Sequence, residues 1–126
     1  MSKVLLDTDV LIDHLRGHRP LPLSDPKLNI SIVTRCELFA GRNVDEPKLR
    51  RTLSVIEELT LDRDIAEAAG RIRRESDIPV PDALIAATAL QHVLPLMTRN
   101  RRHFDRVAGL KLQAPPEPND PSRQLS

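Results

Sequence analysis

A short apolar run that ends on acids, Val4-Leu5-Leu6-Asp7-Thr8-Asp9, restricts this chain more than any other stretch. A strand with no polar face must be covered on both sides, and charges reserved for its C-terminal tip belong at the crevice edge of a parallel sheet. The rest of the chain keeps the same rhythm. After the strand at about residues 3–7, Val10, Leu11, His14 and Leu15 give one face of a helix over about 9–16, stopped by Gly17. Residues 18–28 hold Pro20, Pro22 and Pro26 and read as a loop, followed by a strand over 29–33 and a helix from Thr34 to about Gly41. Leu49, Leu53, Ile56 and Leu59 recur at helical spacing over 46–59, an extended piece covers 59–61, and Asp62 opens a helix to about Asp77. Pro79 and Pro81 break the chain before a helix that starts at Asp82 and is apolar nearly all round to Leu90, which predicts the most buried helix. Leu94–Thr98 reads as a strand, 101–104 as a helical turn and 110–112 as a last strand. Strands alternating with helices predict an α/β architecture of three layers, a mostly parallel sheet with helices on both faces.

At 126 residues the chain is long enough to bury one core without disulfides, and residues 1–113 are expected to form a single domain. From Ala114 the composition turns to Pro115, Pro116, Pro118 and Pro121 among polar residues, which predicts a disordered tail over 114–126. No Trp or Tyr is present and only Phe39 and Phe104 are aromatic, which argues against recognition by base stacking. Lone Cys36 excludes an internal disulfide and fits a reducing, cytoplasmic setting. No apolar run approaches the roughly 20 residues of a membrane span, and no basic-then-apolar leader precedes the first strand. The net charge of +1 does not announce a nucleic-acid binder, but the basic residues are mostly Arg, paired at Arg50-Arg51, Arg73-Arg74 and Arg101-Arg102. Arg is the better bidentate partner for phosphate.

Each acid near an element end has a purely structural explanation when taken alone. Asp7 and, more strongly, Asp9 suit the cap of the first helix; Thr34-Arg35-Cys36-Glu37 spells a capping box; Asp82 suits the cap of the apolar helix. Their common placement points elsewhere, because Asp7, Glu37 and Asp82 all fall within a turn of an element end on one sheet edge. Carboxylates gathered there repel, and a nearby cation is needed to keep them ionised. Hard oxygen donors with room for water suit Mg²⁺ or Mn²⁺, and such an ion serves phosphodiester hydrolysis. Other chemistries lack an anchor: the four His have no metal-ligand spacing, no Ser sits in a Gly-x-Ser-x-Gly turn, and the four Gly form no phosphate loop.

The segments Leu5–Ile12, Ser31–Gly41, Pro79–Ala87 and Leu96–Asn100 appear in an order that resembles the PIN-domain ribonucleases, and among them the VapC-like toxins of toxin–antitoxin pairs. The resemblance covers residues 3 to about 112. It implies a compact PIN fold and Mg²⁺- or Mn²⁺-dependent cleavage of RNA at a site built on Asp7, Glu37 and Asp82. Thr98, Asn100 and Asp9 would support that site, with Arg99, Arg101 and Arg102 meeting RNA phosphates. It further implies a homodimer and a small VapB-like antitoxin seated in an apolar groove of the first helices and the segment 46–59. Two departures stand out. Family members often carry a fourth acid after the fourth strand, where this chain has Asn100, with His103 at a position commonly acidic and Asp105 two residues on. A catalytically weak module that binds RNA or antitoxin is therefore the alternative. Asp9 also departs from the Asn or Ser often seen there, and with it Asp7-Thr8-Asp9-Val10-Leu11 fits the signature of haloacid-dehalogenase-type phosphatases, but Lys48 and Lys111 are poorly placed for that chemistry and no adjacent Asp pair exists.

Overall fold

The structure, a computed structural model, describes residues 3–118. Its elements run β1 (Val4–Leu6), α1 (Thr8–Leu15), β2 (Leu28–Ser31), α2 (Ile32–Phe39), α3 (Glu46–Leu53) and β3 (Glu57–Leu59). They continue α4 (Arg63–Ser76), α5 (Val80–Gln91), β4 (Leu96–Met97), α6 (Arg101–Phe104) and β5 (Leu112–Gln113). The five strands form one sheet in the order β3-β2-β1-β4-β5, and every pairing is parallel. Strand order reverses at β1, which pairs with β2 on one side and β4 on the other. That reversal opens a crevice beyond the strand tips.

Period-two alternation in β1 divides the core. Leu5 packs with Ile65, Ala69 and Ile72 of α4 and Ile85, Ala86 and Ala89 of α5, whereas Val4 and Leu6 pack with Val10 and Leu11 of α1 and Leu49 and Leu53 of α3. Leu96 and Met97 of β4 split the same way. Both faces of the sheet are thus covered, and burying a Leu such as Leu5 or Leu6 fully contributes roughly 2 kcal/mol each. Helix α5 is as deeply set as its composition predicts: Ala83, Ile85, Ala86, Ala87, Thr88 and Ala89 are all buried. Its small side chains admit α4 closely, and the Thr88 hydroxyl is satisfied by donating to the Leu84 carbonyl at 2.8 Å.

Several expected boundaries move, each for a local reason. Helix α3 stops at Leu53, because residues 57–59 leave the helical pattern to pair in parallel with Asn29–Ser31. Ile56, at helical spacing in the sequence, reaches the core from the connecting turn instead. The extended piece expected at 59–61 is β3 at Glu57–Leu59, and the last strand is Leu112–Gln113 rather than 110–112. Strand β2 ends at Ser31, whose side chain caps α2 by accepting from Val33 N at 3.0 Å, so Thr34 lies inside the helix rather than before it. Ser31→Ala is expected to lower stability by about 1 kcal/mol in urea unfolding; an unchanged midpoint would remove the cap. Pro79 and Pro81 do not break α5 but start it, since α5 begins at Val80 with proline in its first turn. Of the tail, residues 114–118 carry no regular structure and 119–126 lie outside the described residues.

Candidate active site

Asp7 stands at the tip of β1, with extended backbone (φ −70°, ψ 154°) that turns the chain into α1. Its Oδ1 accepts from Thr8 N and its Oδ2 from Thr98 Oγ1, each at 2.8 Å. Thr98, at the tip of β4, in turn accepts from Asn100 N at 2.9 Å, so one hydroxyl ties Asp7 to the start of α6. Asp7 therefore takes the capping position expected of Asp9. Asp9 is the second residue of α1, in its first turn, where Arg99 Nε approaches its Oδ2 at 3.5 Å.

Glu37 arrives from α2. Its Oε1 accepts from Thr8 Oγ1 at 2.7 Å, and Thr8 Oγ1 lies 2.9 Å from Thr34 Oγ1. The single proton of Thr8 goes to Glu37, so Thr34 supplies the proton of the second bond. The capping-box geometry does not form, because Thr34 is buried mid-helix and spends its hydroxyl on Thr8. Asp82 is no cap either: Pro79 holds that position with no side-chain bond, and Asp82 lies in the first turn of α5. There the helix N-terminus favours its charge, and His103 Nδ1 lies 2.9 Å from its Oδ2.

These side chains border one hollow of about 240 Å³, lined by Asp7, Thr8, Asp9, Ile12, Glu37, Asp82, Asn100, His103 and Phe104. Asp7 is only 6% exposed, and burial, aided by the charges of Asp9 and Asp82, pushes its carboxyl from 3.8 up to about 7 against the hydrogen bonds from Thr98 and Thr8. Asp9 Oδ1 is fully enclosed and has no hydrogen-bond partner among the described residues. Among those residues, no three His, Cys, Asp or Glu side chains are gathered tightly enough to hold an ion by themselves. The donor set nevertheless suits Mg²⁺ or Mn²⁺, which bind through one or two carboxylates and retain several waters. Positive charge in the hollow would relieve both the orphaned Asp9 oxygen and the suppressed ionisation of Asp7.

Of the arginines expected to meet RNA, Arg99 is engaged with Asp9 and, through Nη1 at 3.2 Å, with Asp13, while Arg101 and Arg102 are exposed on α6. Thr98 contributes through Asp7 rather than by lining the hollow. Sequence reasoning missed Thr8 and Thr34, the hydroxyl pair that anchors Glu37, and Asp13, the buried acid that anchors Arg99. The available signal was a Thr between two carboxylates, Asp7 and Asp9.

The sequence profile of the PIN domain matches residues 4–110. The chain is 34% identical over 122 residues to the ribonuclease VapC1 of Methanocaldococcus jannaschii, across 88% of this chain and 87% of that protein. It is 34% identical over 130 residues to the tRNA(fMet)-specific endonuclease VapC of Shigella flexneri, across 90% of this chain and 98% of that one. A toxin–antitoxin complex from Klebsiella pneumoniae contains a chain of the same fold, with a TM-score of 0.77 and 35% identity over 91% of this chain and 99% of that chain. The acids at the switch point of the sheet thus occur within a known lineage, and the chain belongs to the PIN-domain family and, inside it, to the VapC ribonucleases.

Proposed function

We propose that this chain is a metal-dependent endoribonuclease, the toxin of a toxin–antitoxin pair, which hydrolyses phosphodiester bonds in tRNA, rRNA or mRNA and so inhibits translation in the cytoplasm. The observation that carries this reading is the meeting of Asp7, Glu37 and Asp82, from three separate elements, around one hollow at the sheet's switch point. Asp7 and Asp82 would hold Mg²⁺ or Mn²⁺, with Glu37 as a further ligand or as orienter of the attacking water. Bound there, the cation would supply positive charge for the scissile phosphate and acidify water. Glu37 has one oxygen committed to Thr8, which leaves Oε2 to take a proton from the attacking water. Thr98 favours the ionised form of Asp7 by donating to it, and Ile12 and Phe104 contribute apolar surface to the hollow.

Arg101 and Arg102 lie exposed on α6, between Asn100 and His103 of the hollow in the chain, and are the residues we assign to phosphates flanking the cut. RNA affinity should therefore fall with salt, and Arg101→Gln should flatten the log–log salt slope by about 0.7; an unchanged slope in filter-binding titrations would take Arg101 off the RNA path. A second hollow, of about 350 Å³ between α1, α2 and α3, is lined by Leu15, Leu38, Val44 and Leu49 together with Asn43, Asp45, Lys48 and Thr52, and is the seat we assign to a small VapB-like antitoxin. A homodimer completes the assembly. Among the described residues no helix is long and apolar enough to cross a membrane.

The test is incubation of the full chain with a tRNA pool, suggested by the Shigella relative, with Mg²⁺ or with EDTA. Discrete fragments are expected only with the divalent ion. Equal cleavage in EDTA would contradict the metal, and binding without cleavage under either condition would favour the binding-module alternative.

A further inference from the structure

We infer that Asp9 is the fourth carboxylate of this site, supplying from α1 the ligand that the segment after β4 lacks, and that Arg99 is the positioning residue that aims it. The inference rests on the metal-dependent reading above. After β4 the chain offers Asn100 and His103 to the hollow and no acid. Asp9, two residues from Asp7 in the chain, lines the same hollow.

Its two oxygens have different fates. Oδ2 faces Arg99 Nε at 3.5 Å, and the other end of that guanidinium lies 3.2 Å from Oδ1 of Asp13. Asp13 is itself buried and also faces Arg19 Nε at 4.0 Å, so Arg99 is held by an anchored acid rather than by solvent. This arrangement fixes Asp9 through one oxygen and leaves Oδ1 shut in with no donor. A carboxylate serving only as a surface ion pair would turn both oxygens to donors or water, because an enclosed acceptor without a partner is disfavoured. Capping does not explain Asp9, since Asp7 fills that position.

The experiment titrates Mn²⁺ into the full chain and reads free Mn²⁺ by electron paramagnetic resonance, with melting in EDTA run beside it to show that each variant is folded. The set is wild type, Asp9→Asn, Asp9→Ser, Asp7→Asn, Arg99→Gln and Arg99→Lys. Both Asp9 variants are expected to bind Mn²⁺ about tenfold more weakly or worse, with a metal-free melting temperature equal to or above wild type because repulsion with Asp7 is relieved. Arg99→Gln should weaken Mn²⁺ binding by a smaller factor, and Arg99→Lys should recover part of it. Wild-type Mn²⁺ affinity in both Asp9 variants, together with its loss in Asp7→Asn, would overturn the role of Asp9 while leaving the metal site standing. No Mn²⁺ binding by the wild type would remove the metal reading and this inference with it.

Discussion

Asp7→Asn is expected to remove RNA cleavage while leaving a folded protein, with the single-turnover rate falling by on the order of 10²–10³-fold or more. Asn keeps a side-chain oxygen for Thr8 N, so the turn from β1 into α1 survives. What it loses is the negative charge that burial already makes scarce at this position. A cleavage rate within a few-fold of wild type, measured on the same labelled RNA, would place the chemistry elsewhere.

The metal-free protein should be more stable at pH 5 than at pH 8, and Asp7 is the reason. Its carboxyl titrates near 7 when folded against 3.8 when unfolded. Between those values the unfolded chain has released the proton that the folded chain still holds, so stability falls as pH rises through this window and is lowest above it. Between pH 5 and pH 8 the difference is worth about 3 kcal/mol. Asp7→Asn removes the titration and should flatten the profile, chiefly by raising stability at pH 8. Mg²⁺ should do the same to the wild type by binding only the folded form. Urea unfolding in EDTA at the two pH values checks this, and equal slopes for wild type and variant would contradict it.

Much of this was legible in the sequence because the periodicities are strong. Val4–Leu6 could only be a covered strand, α4 announced its start at Asp62 and its end at Asp77, and α5 carried its burial in its composition. Where reading failed, a tertiary contact outbid a local preference. Leu59 continues the spacing of Leu49, Leu53 and Ile56, yet residues 57–59 gain more by pairing with β2 than by extending α3. Thr34 and Glu37 have the spacing of a capping box, yet Ser31 caps one turn earlier and frees both for Thr8. Asp7, Asp9 and Asp82 each looked like caps, and only the first is one. Spacing marks which acids lie near element ends, but which of them face one another depends on strand order, and that order is not written locally. The hydroxyls of Thr8, Thr34 and Thr98 were hidden for the same reason, since their partners lie 26 to 91 residues away in the chain.

We propose that Asp7 and Asp82, delivered by β1 and α5 to one hollow, act as one unit on RNA. Single-turnover cleavage of a labelled tRNA by wild type, Asp7→Asn, Asp82→Asn and the double variant tests it most directly, because losses from residues that act together do not multiply. The expected result is that each single variant loses cleavage and the double variant is no slower than the slower single. Single variants with small losses that multiply in the double would contradict it.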